Sequence, residues 1–198
     1  NKYSKLTERG ERFVKKRTTA LLLGSVLLCH ASLVYGEVPD YDAVLETAQK
    51  ENKSVQTFET DDGKGNLYIG LRMEGLVIYN THTKKSRFFK NKPGDPNSLP
   101  GNNVRSVFID HLQNIWVGTN KGLGLFDSAK GTFRVFKHVK GDNNSLAGDN
   151  IMQIIESADN TLWIASDIGG ISKLDLNQYN HPNIGDVNFS QMTKENYN

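Results

Sequence analysis

The first candidate for chemistry in this chain is a glycine-rich stretch, QNIWVGTNKGLGLFD, at residues 113–127. Its glycines are Gly118, Gly122 and Gly124, and glycine-rich loops often hold phosphate groups. A P-loop requires the spacing G-x-x-x-x-G-K-[ST], and a dinucleotide loop requires G-x-G-x-x-G before a long helix. Neither spacing occurs here. We therefore expect these glycines to form tight turns and a strand too crowded for side chains.

Metal binding and nucleophilic catalysis find little support in the side chains. The histidines His82, His111, His138 and His181 fall in separate turn-like segments, without the close spacing of metal ligands. No G-x-S-x-G motif occurs, and the single cysteine, Cys29, lies in an apolar segment near the N-terminus. We expect no catalytic residue, no metal and no cofactor. Paired carboxylates drawn from different parts of the fold stay open as a route to hydrolysis.

The first 36 residues have the composition of an export signal. A basic cluster, Lys15–Arg17, precedes the apolar run ALLLGSVLLC at 20–29 and the small-residue stretch HASLVYG at 30–36. The apolar run is shorter than the ~20 residues of a membrane span. Residues 1–36 therefore predict a signal peptide or membrane anchor. This segment carries seven Lys/Arg and two Asp/Glu, which leaves 17 basic and 20 acidic residues, a net charge of −3, in the rest. The exported part has no basic block in its sequence, so we expect no nucleic-acid binding.

An internal repeat organises the remaining chain. The segments NLYIG, NIWVG and TLWIA place aromatic residues at Tyr68, Trp116 and Trp163, 48 and then 47 residues apart. Other positions keep this period, among them Ser98 with Ser145 and the pairs Asn103-Val104 and Asn150-Ile151. Agreement of several positions on one period indicates a repeated structural unit.

Each unit contains four short runs rich in β-branched and aromatic residues, separated by turn compositions. Such units are too short for a parallel crossover, so the strands should pair antiparallel. Four antiparallel strands repeated about every 47 residues predict an all-β fold of β-propeller blades. Tyr68, Trp116 and Trp163 should then pack between neighbouring blades. The predicted organisation is a signal or anchor at 1–36, a linker or short helix at 37–53, and blades at 54–99, 100–146 and 147–198, the last holding one more strand in its tail.

The repeat resembles the two-component-regulator propeller repeat. The residues that carry the resemblance are N-[LI]-[WY]-[IV]-G, an aromatic-[DN] pair, F-x-x-[FY], and N-S-L-x-x-N-x-V, over roughly 54–198. The resemblance implies the N-terminal part of the periplasmic sensor of a Bacteroides-type hybrid two-component system. Such sensors detect fragments of polysaccharides as homodimers and signal across the membrane. Three blades do not close a ring, so we expect a piece of a longer protein, with a kinase further along the chain.

The turns between the second and third strands of each blade should meet at one face, where a ligand binds. We predict ligand contacts there from Arg72 and Glu74, from Asn120 and Lys121, and from Asp167. The expected function is non-catalytic sensing of oligosaccharide at the periplasmic face of the inner membrane, with membrane association through the signal segment or a later span. A secreted propeller lyase or hydrolase and a protein-binding propeller scaffold are the alternatives.

Overall fold

Three four-stranded antiparallel sheets make up the described part of the chain. The computed structural model describes residues 57–179 and 185–192. The predicted signal at 1–36 and the predicted linker at 37–53 lie outside these residues. Within the described residues no helix is long and apolar enough to cross a membrane.

The strands follow one another in sequence order within each sheet. Blade 1 comprises β1 (Thr57–Asp61), β2 (Asn66–Leu71), β3 (Gly75–Asn80) and β4 (Lys85–Phe89). Blade 2 comprises β5 (Val104–Ile109), β6 (Ile115–Thr119), β7 (Gly122–Asp127) and β8 (Thr132–Phe136). Blade 3 comprises β9 (Ile151–Glu156), β10 (Thr161–Ser166), β11 (Ile171–Asp175) and β12 (Ser190–Met192), with a 3₁₀ helix at Leu176–Gln178. The predicted all-β fold of four-stranded blades is confirmed.

Successive side chains along a strand point to opposite faces of the sheet, and in blade 2 these two faces contact blade 1 and blade 3. In β6, Ile115 and Val117 belong to the cluster between blades 1 and 2, together with Tyr68 and Phe133. Trp116, between them in sequence, belongs to the cluster between blades 2 and 3 and is fully buried. Both faces of blade 2 are therefore covered, which explains why its strands are almost continuously apolar.

A glycine in the second strand lets the next blade approach closely. A Cβ at Gly118 would lie only 2.6 Å from Cγ2 of Ile151, the first residue of β9. Gly70 holds the same position against Val104, the first residue of β5. In blade 3 the position is occupied by Ala165. The glycine of the N-[LI]-[WY]-[IV]-G pattern thus serves packing between blades.

An insertion separates the third and fourth strands of blade 3. The backbone N–H of Phe133 donates to the Asn97 carbonyl at 2.8 Å, and that of Phe189 donates to the Asn144 carbonyl at 2.9 Å. Asn97 and Asn144 are 47 residues apart, whereas Phe133 and Phe189 are 56 apart. Blade 3 therefore has nine additional residues before its fourth strand. Strand β12 confirms the additional strand that we predicted in the tail.

Candidate functional site

One end of the three blades carries the predicted ligand residues. The turns at 72–74, 120–121 and 167–170 lie at this end, together with the links at 90–103 and 137–150 that join one blade to the next. We call this end the turn-and-link face. A fourth strand ends beside the start of the third strand, as the pairing of Leu123 with Phe136 shows, so each link begins at this face.

The same hydrogen bonds recur in the two links and give both links the same conformation. Asn102 Oδ1 accepts from the backbone N–H of Asn91 at 2.7 Å, and 47 residues later Asp149 Oδ1 accepts from that of His138 at 2.7 Å. A serine hydroxyl inside each link caps the same loop, as when Ser98 Oγ accepts from the N–H of Lys92 at 3.0 Å. The N-S-L segment thus shapes the link, while its leucine enters the core.

Each turn is also joined to a link through the backbone. The N–H of Gly75 donates to the Asn102 carbonyl at 2.9 Å, and the N–H of Asn120 donates to the Asn103 carbonyl at 3.1 Å. The N–H of Asp167 donates to the Asn150 carbonyl at 2.9 Å in blade 3. The consecutive residues Asn102 and Asn103 therefore connect the turn of blade 1 to the turn of blade 2, and the face is held as one surface.

The predicted side chains make two polar pairs at this face. Glu74 forms an ion pair with Lys90 at 2.7 Å, so the first turn is anchored to the following link. Asp167 Oδ2 accepts from Nδ2 of Asn150 at 3.0 Å. Arg72 and Lys121 are exposed in their turns. The five predicted residues thus lie at one end of the molecule, in three separate turns.

Three asparagines at this face contain amide oxygens that lack a hydrogen-bond partner. Among the described residues, Oδ1 of Asn103, Asn120 and Asn150 is buried and accepts no hydrogen bond. A buried acceptor without a donor costs about 1–3 kcal/mol, so native proteins keep few of them. The sequence indicated Asn103 and Asn150 only as repeat positions and not as site residues. The signal that could have identified them is the recurrence of asparagine at the end of each link.

Apolar side chains also project from the turn-and-link face. Met73 is 72% exposed in the turn of blade 1, and Ile168 is 83% exposed in the turn of blade 3. Met73 adopts a positive φ of 73°, which is unusual for a residue with a side chain. The face therefore combines amide, charged and apolar groups, as sites for small polar ligands do. In the part of the chain that the structure describes, no three His, Cys, Asp or Glu side chains are grouped as metal ligands.

The opposite end of the blades has a structural role. Asp62 Oδ1 accepts from the backbone N–H groups of Lys64 and Asn66, at 2.8 and 3.0 Å. Burial raises the pKa of the Asp62 carboxyl, but the hydrogen bonds from Asn66 and Lys64 and the charge of Lys64 together outweigh it and hold that pKa below its usual value. Burial, with the charge of Asp62, raises the pKa of Tyr68 to about 12. Asp61 and Asp62 thus shape a turn.

Comparison with known proteins places these blades in a class. The model of the two-component regulator propeller family matches residues 98–121, which run from the end of one link through β5 and β6 to Lys121. Histidine kinase P4 of Formosa agariphila is 34% identical over 77 residues, which is 39% of this chain and 5% of that protein. Residues 98–121 thus resemble a propeller repeat of the two-component-regulator type.

Solved structures support the same assignment. The extracellular domain assigned to the hybrid two-component system BT3049 of B. thetaiotaomicron is 35% identical, with a TM-score of 0.51, over 72% of this chain and 16% of that domain. The extracellular domain of a second such system, BT4673, has a TM-score of 0.54 at 21% identity, over 70% of this chain and 19% of that one, and it shows the fold alone. The resemblance to sensor domains of hybrid two-component systems is confirmed. The chain spans a small part of the length of each relative.

Proposed function

We propose that this chain is part of the exported sensing region of a hybrid two-component sensor histidine kinase, and that its turn-and-link face detects oligosaccharides released from polysaccharides. The similarity to the extracellular domain of BT3049 supports the sensor class, since it covers 72% of this chain. In this proposal the segment binds its ligand without catalysis at the periplasmic face of the inner membrane. The complete receptor is a homodimer that carries the signal across the membrane.

The observation that carries the ligand class is the set of unpartnered amide oxygens of Asn103, Asn120 and Asn150. Sugar hydroxyls are hydrogen-bond donors, and a donor that reaches such an oxygen removes the cost of leaving it unpaired. Each of the three residues is partly exposed although its oxygen is buried, and in this proposal rotation of the amide group presents the oxygen to a ligand at the face. A neutral, hydroxyl-rich molecule fits this arrangement better than a phosphate, which offers acceptors.

Charged and apolar groups around the asparagines suit the same ligand. Lys121 follows Asn120 directly and can donate to a ring oxygen or a carboxylate of the ligand. The exposed side chains of Met73 and Ile168 supply apolar surface for the carbon face of a sugar ring. The ion pair between Glu74 and Lys90 fixes the turn of blade 1, so the turn loses less conformational entropy when a ligand binds.

Calorimetry on the full-length protein with a panel of neutral and acidic oligosaccharides tests this proposal. At least one oligosaccharide should bind, and the same compound should change the rate of histidine phosphorylation. In the variants Asn103→Ala and Asn120→Ala we expect binding to weaken at least tenfold, about 1.4 kcal/mol. Ser128→Ala, in an exposed turn at the opposite end of blade 2, is the matched control and should bind as the parent does. Silence across the whole panel would contradict the proposal.

A further inference from the structure

Charge is distributed very unevenly along the exported part of this chain. Residues 81–141 contain 11 Lys/Arg and three Asp/Glu, a net charge of +8. The preceding residues 37–80 contain four and nine, and the following residues 142–198 contain two and eight, so their net charges are −5 and −6. The overall net charge of −3 therefore conceals a strongly basic middle section.

Most of these basic side chains lie along the outermost strands of blades 1 and 2. Strands β4 and β8 are the terminal strands of their sheets. Nine of the 11 basic residues are on these strands or within four residues of them, and we call them the basic band: Lys84, Lys85, Arg87, Lys90, Lys92, Lys130, Arg134, Lys137 and Lys140. Strand β12, the terminal strand of blade 3, contains no basic residue. The band is therefore a property of two adjacent blades.

The two halves of the band are in contact. The rings of Phe89 on β4 and Phe133 on β8 pack edge to face, with centroids 5.9 Å apart. The guanidinium of Arg87 stacks over Phe89, 5.1 Å from its centroid, and also reaches the turn before β8, since a Cβ at Gly131 would lie 2.7 Å from Nη2 of Arg87. Arg87 thus reaches the turn that contains Lys130, and the two halves of the band meet at this point.

The carboxylates within this section are engaged in local structure. Asp110 is buried and accepts the indole N–H of Trp116 at 2.8 Å. Asp95 accepts the backbone N–H of Asn97 at 2.9 Å, and Asp127 binds turn amides and pairs with Lys130 at 3.0 Å. Six lysines of the band are exposed, namely Lys84, Lys85, Lys92, Lys130, Lys137 and Lys140, and of these Lys130 is the one that pairs with Asp127. The band therefore keeps a strong positive potential at the surface.

We propose that the basic band binds an anionic polysaccharide, with its carboxylate or sulfate groups placed along β4 and β8. A five-residue strand extends about 17 Å, so the charges follow a line, which suits a linear polyanion better than a compact anion. Lysines on edge strands also prevent association between sheets. That role does not explain Lys92, Lys137 and Lys140, which continue the line into the links, whereas Lys90 is paired with Glu74. This inference rests on the proposed function and adds a capture surface along β4 and β8 that adjoins the turn-and-link face through the two links.

The surroundings of the band favour a glycan over a membrane or a nucleic acid. Within the band's own segments, residues 84–92 and 130–140, Val139 is the only large apolar side chain that is exposed, so the band lacks the apolar face of a membrane-binding surface. Phe89 and Phe136 are covered by Arg87 and Arg134, at 5.1 and 5.0 Å, and so do not offer faces on which bases stack. The band presents a row of positive charges, which is complementary to a sugar polymer with regularly spaced anionic groups.

Binding of defined polymers to the full-length protein tests the band. Polygalacturonate and dextran sulfate should bind, neutral dextran should not, and affinity should fall as salt is added, because the screening length shortens from ~30 Å at 0.01 M to ~8 Å at 0.15 M. The double variants Lys84→Gln/Lys85→Gln and Lys137→Gln/Lys140→Gln should each weaken polymer binding about tenfold, since an exposed ion pair contributes ~0.2–1 kcal/mol. The control Lys64→Gln/Lys173→Gln removes the same charge outside the band and should weaken binding less than about twofold.

Two outcomes would overturn the band proposal. One is an equal loss in the control and in the band variants. The other is binding of phosphatidylglycerol vesicles or duplex DNA that matches polymer binding and depends equally on the band. Signalling separates this proposal from the proposed function. Loss of the oligosaccharide response in Asn103→Ala, with polymer binding unchanged in the band variants, refutes the band alone. Polymer binding that depends on the band, without a kinase response to any glycan, refutes the sensor function alone.

Discussion

The indole Nε1–H of Trp116 donates a hydrogen bond to Oδ2 of Asp110, 2.8 Å away and six residues earlier in the chain. The same spacing recurs in the other blades. The Tyr68 hydroxyl lies 3.5 Å from Oδ2 of Asp62, and Trp163 Nε1 donates to the Ser157 hydroxyl at 2.9 Å. Tyr68 and Trp116 thus fill the spaces between blades while their polar atoms are bound by the preceding turns, which a buried tryptophan requires. Trp163 is partly exposed and belongs to neither cluster, so its packing between blades stays a prediction.

Removal of the Asp110 carboxylate should destabilise blade 2 through groups that it leaves unpaired. Asp110 also accepts from the backbone N–H of Asn114 at 2.8 Å and from its side chain at 2.9 Å. We expect Asp110→Ala to cost about 2–4 kcal/mol, because several buried donors lose their acceptor. Hydrogen exchange of the β5–β7 amides in the full-length protein measures this loss locally.

A double-mutant cycle isolates the contact between Asp110 and Trp116. Trp116→Phe keeps most of the apolar contact but removes the indole N–H, so Asp110→Ala should cost about 1 kcal/mol less in that background. Equal costs in both backgrounds would show that the indole bond contributes nothing measurable.

Addition of one methyl group at Gly118 should disturb the contact between blades 2 and 3. The new Cβ would meet Ile151, which is fully buried and cannot move far. We expect Gly118→Ala to cost about 1–3 kcal/mol, as overpacking usually does. Gly185→Ala is the control, since nothing lies within 4 Å of a Cβ at that position. Protection of β9 amides should fall in the first variant and stay constant in the second, and equal protection in both would contradict the packing role.

The lowered pKa of Asp62 should make blade 1 sensitive to acid. A carboxylate whose pKa is lower in the folded than in the unfolded state stabilises the fold above the unfolded value, and this stabilisation disappears as pH falls through the folded value. Asp62→Asn should therefore show a smaller loss of β1–β3 protection between neutral and acid pH than the parent. An identical acid dependence in both proteins would count against this account.

The hydrogen bonds from Asn66 can be tested separately from the burial of Asp62. Asn66→Ala removes the side-chain donor, which lies 2.7 Å from Oδ2, while the carboxyl remains partly buried. We expect the pKa of Asp62, followed by NMR titration, to rise in this variant, since burial favours the neutral acid. A constant pKa would assign the shift to another cause.

Asparagine substitutions at the turn-and-link face should separate stability from binding. Asn103 and Asn120 each bury an oxygen that has no partner among the described residues, so alanine at either position should leave the free energy of unfolding unchanged or raise it by up to about 1 kcal/mol. Oligosaccharide affinity should fall in the same variants. Thermal unfolding together with calorimetry checks both effects, and a variant that loses stability along with binding would indicate a structural role instead.

The candidate site was only partly accessible from the sequence. The turns containing Arg72, Asn120 and Asp167 were predicted correctly, because strand boundaries follow from alternation and from turn residues. Their value as ligand contacts stays a prediction. The unpartnered oxygens of Asn103 and Asn150 could not be predicted, since hydrogen-bond satisfaction depends on every neighbour in space. The charge excess of residues 81–141 could be counted from the sequence. The contact between β4 and β8 that joins the two parts of the basic band could not, because a charge count carries no information on which strands are adjacent.

The sequence by itself determined the repeating unit, the four strands of each blade and the positions of Tyr68, Trp116 and Trp163, because side-chain alternation and turn chemistry are local properties. Only the tertiary structure decided how the blades pack and where the period fails. Phe189 takes the place of Phe133 although it lies nine residues beyond the expected position, and no local signal marks that offset. Its equivalence rests on a hydrogen bond to the preceding link and on burial between blades, which exist only in the folded chain.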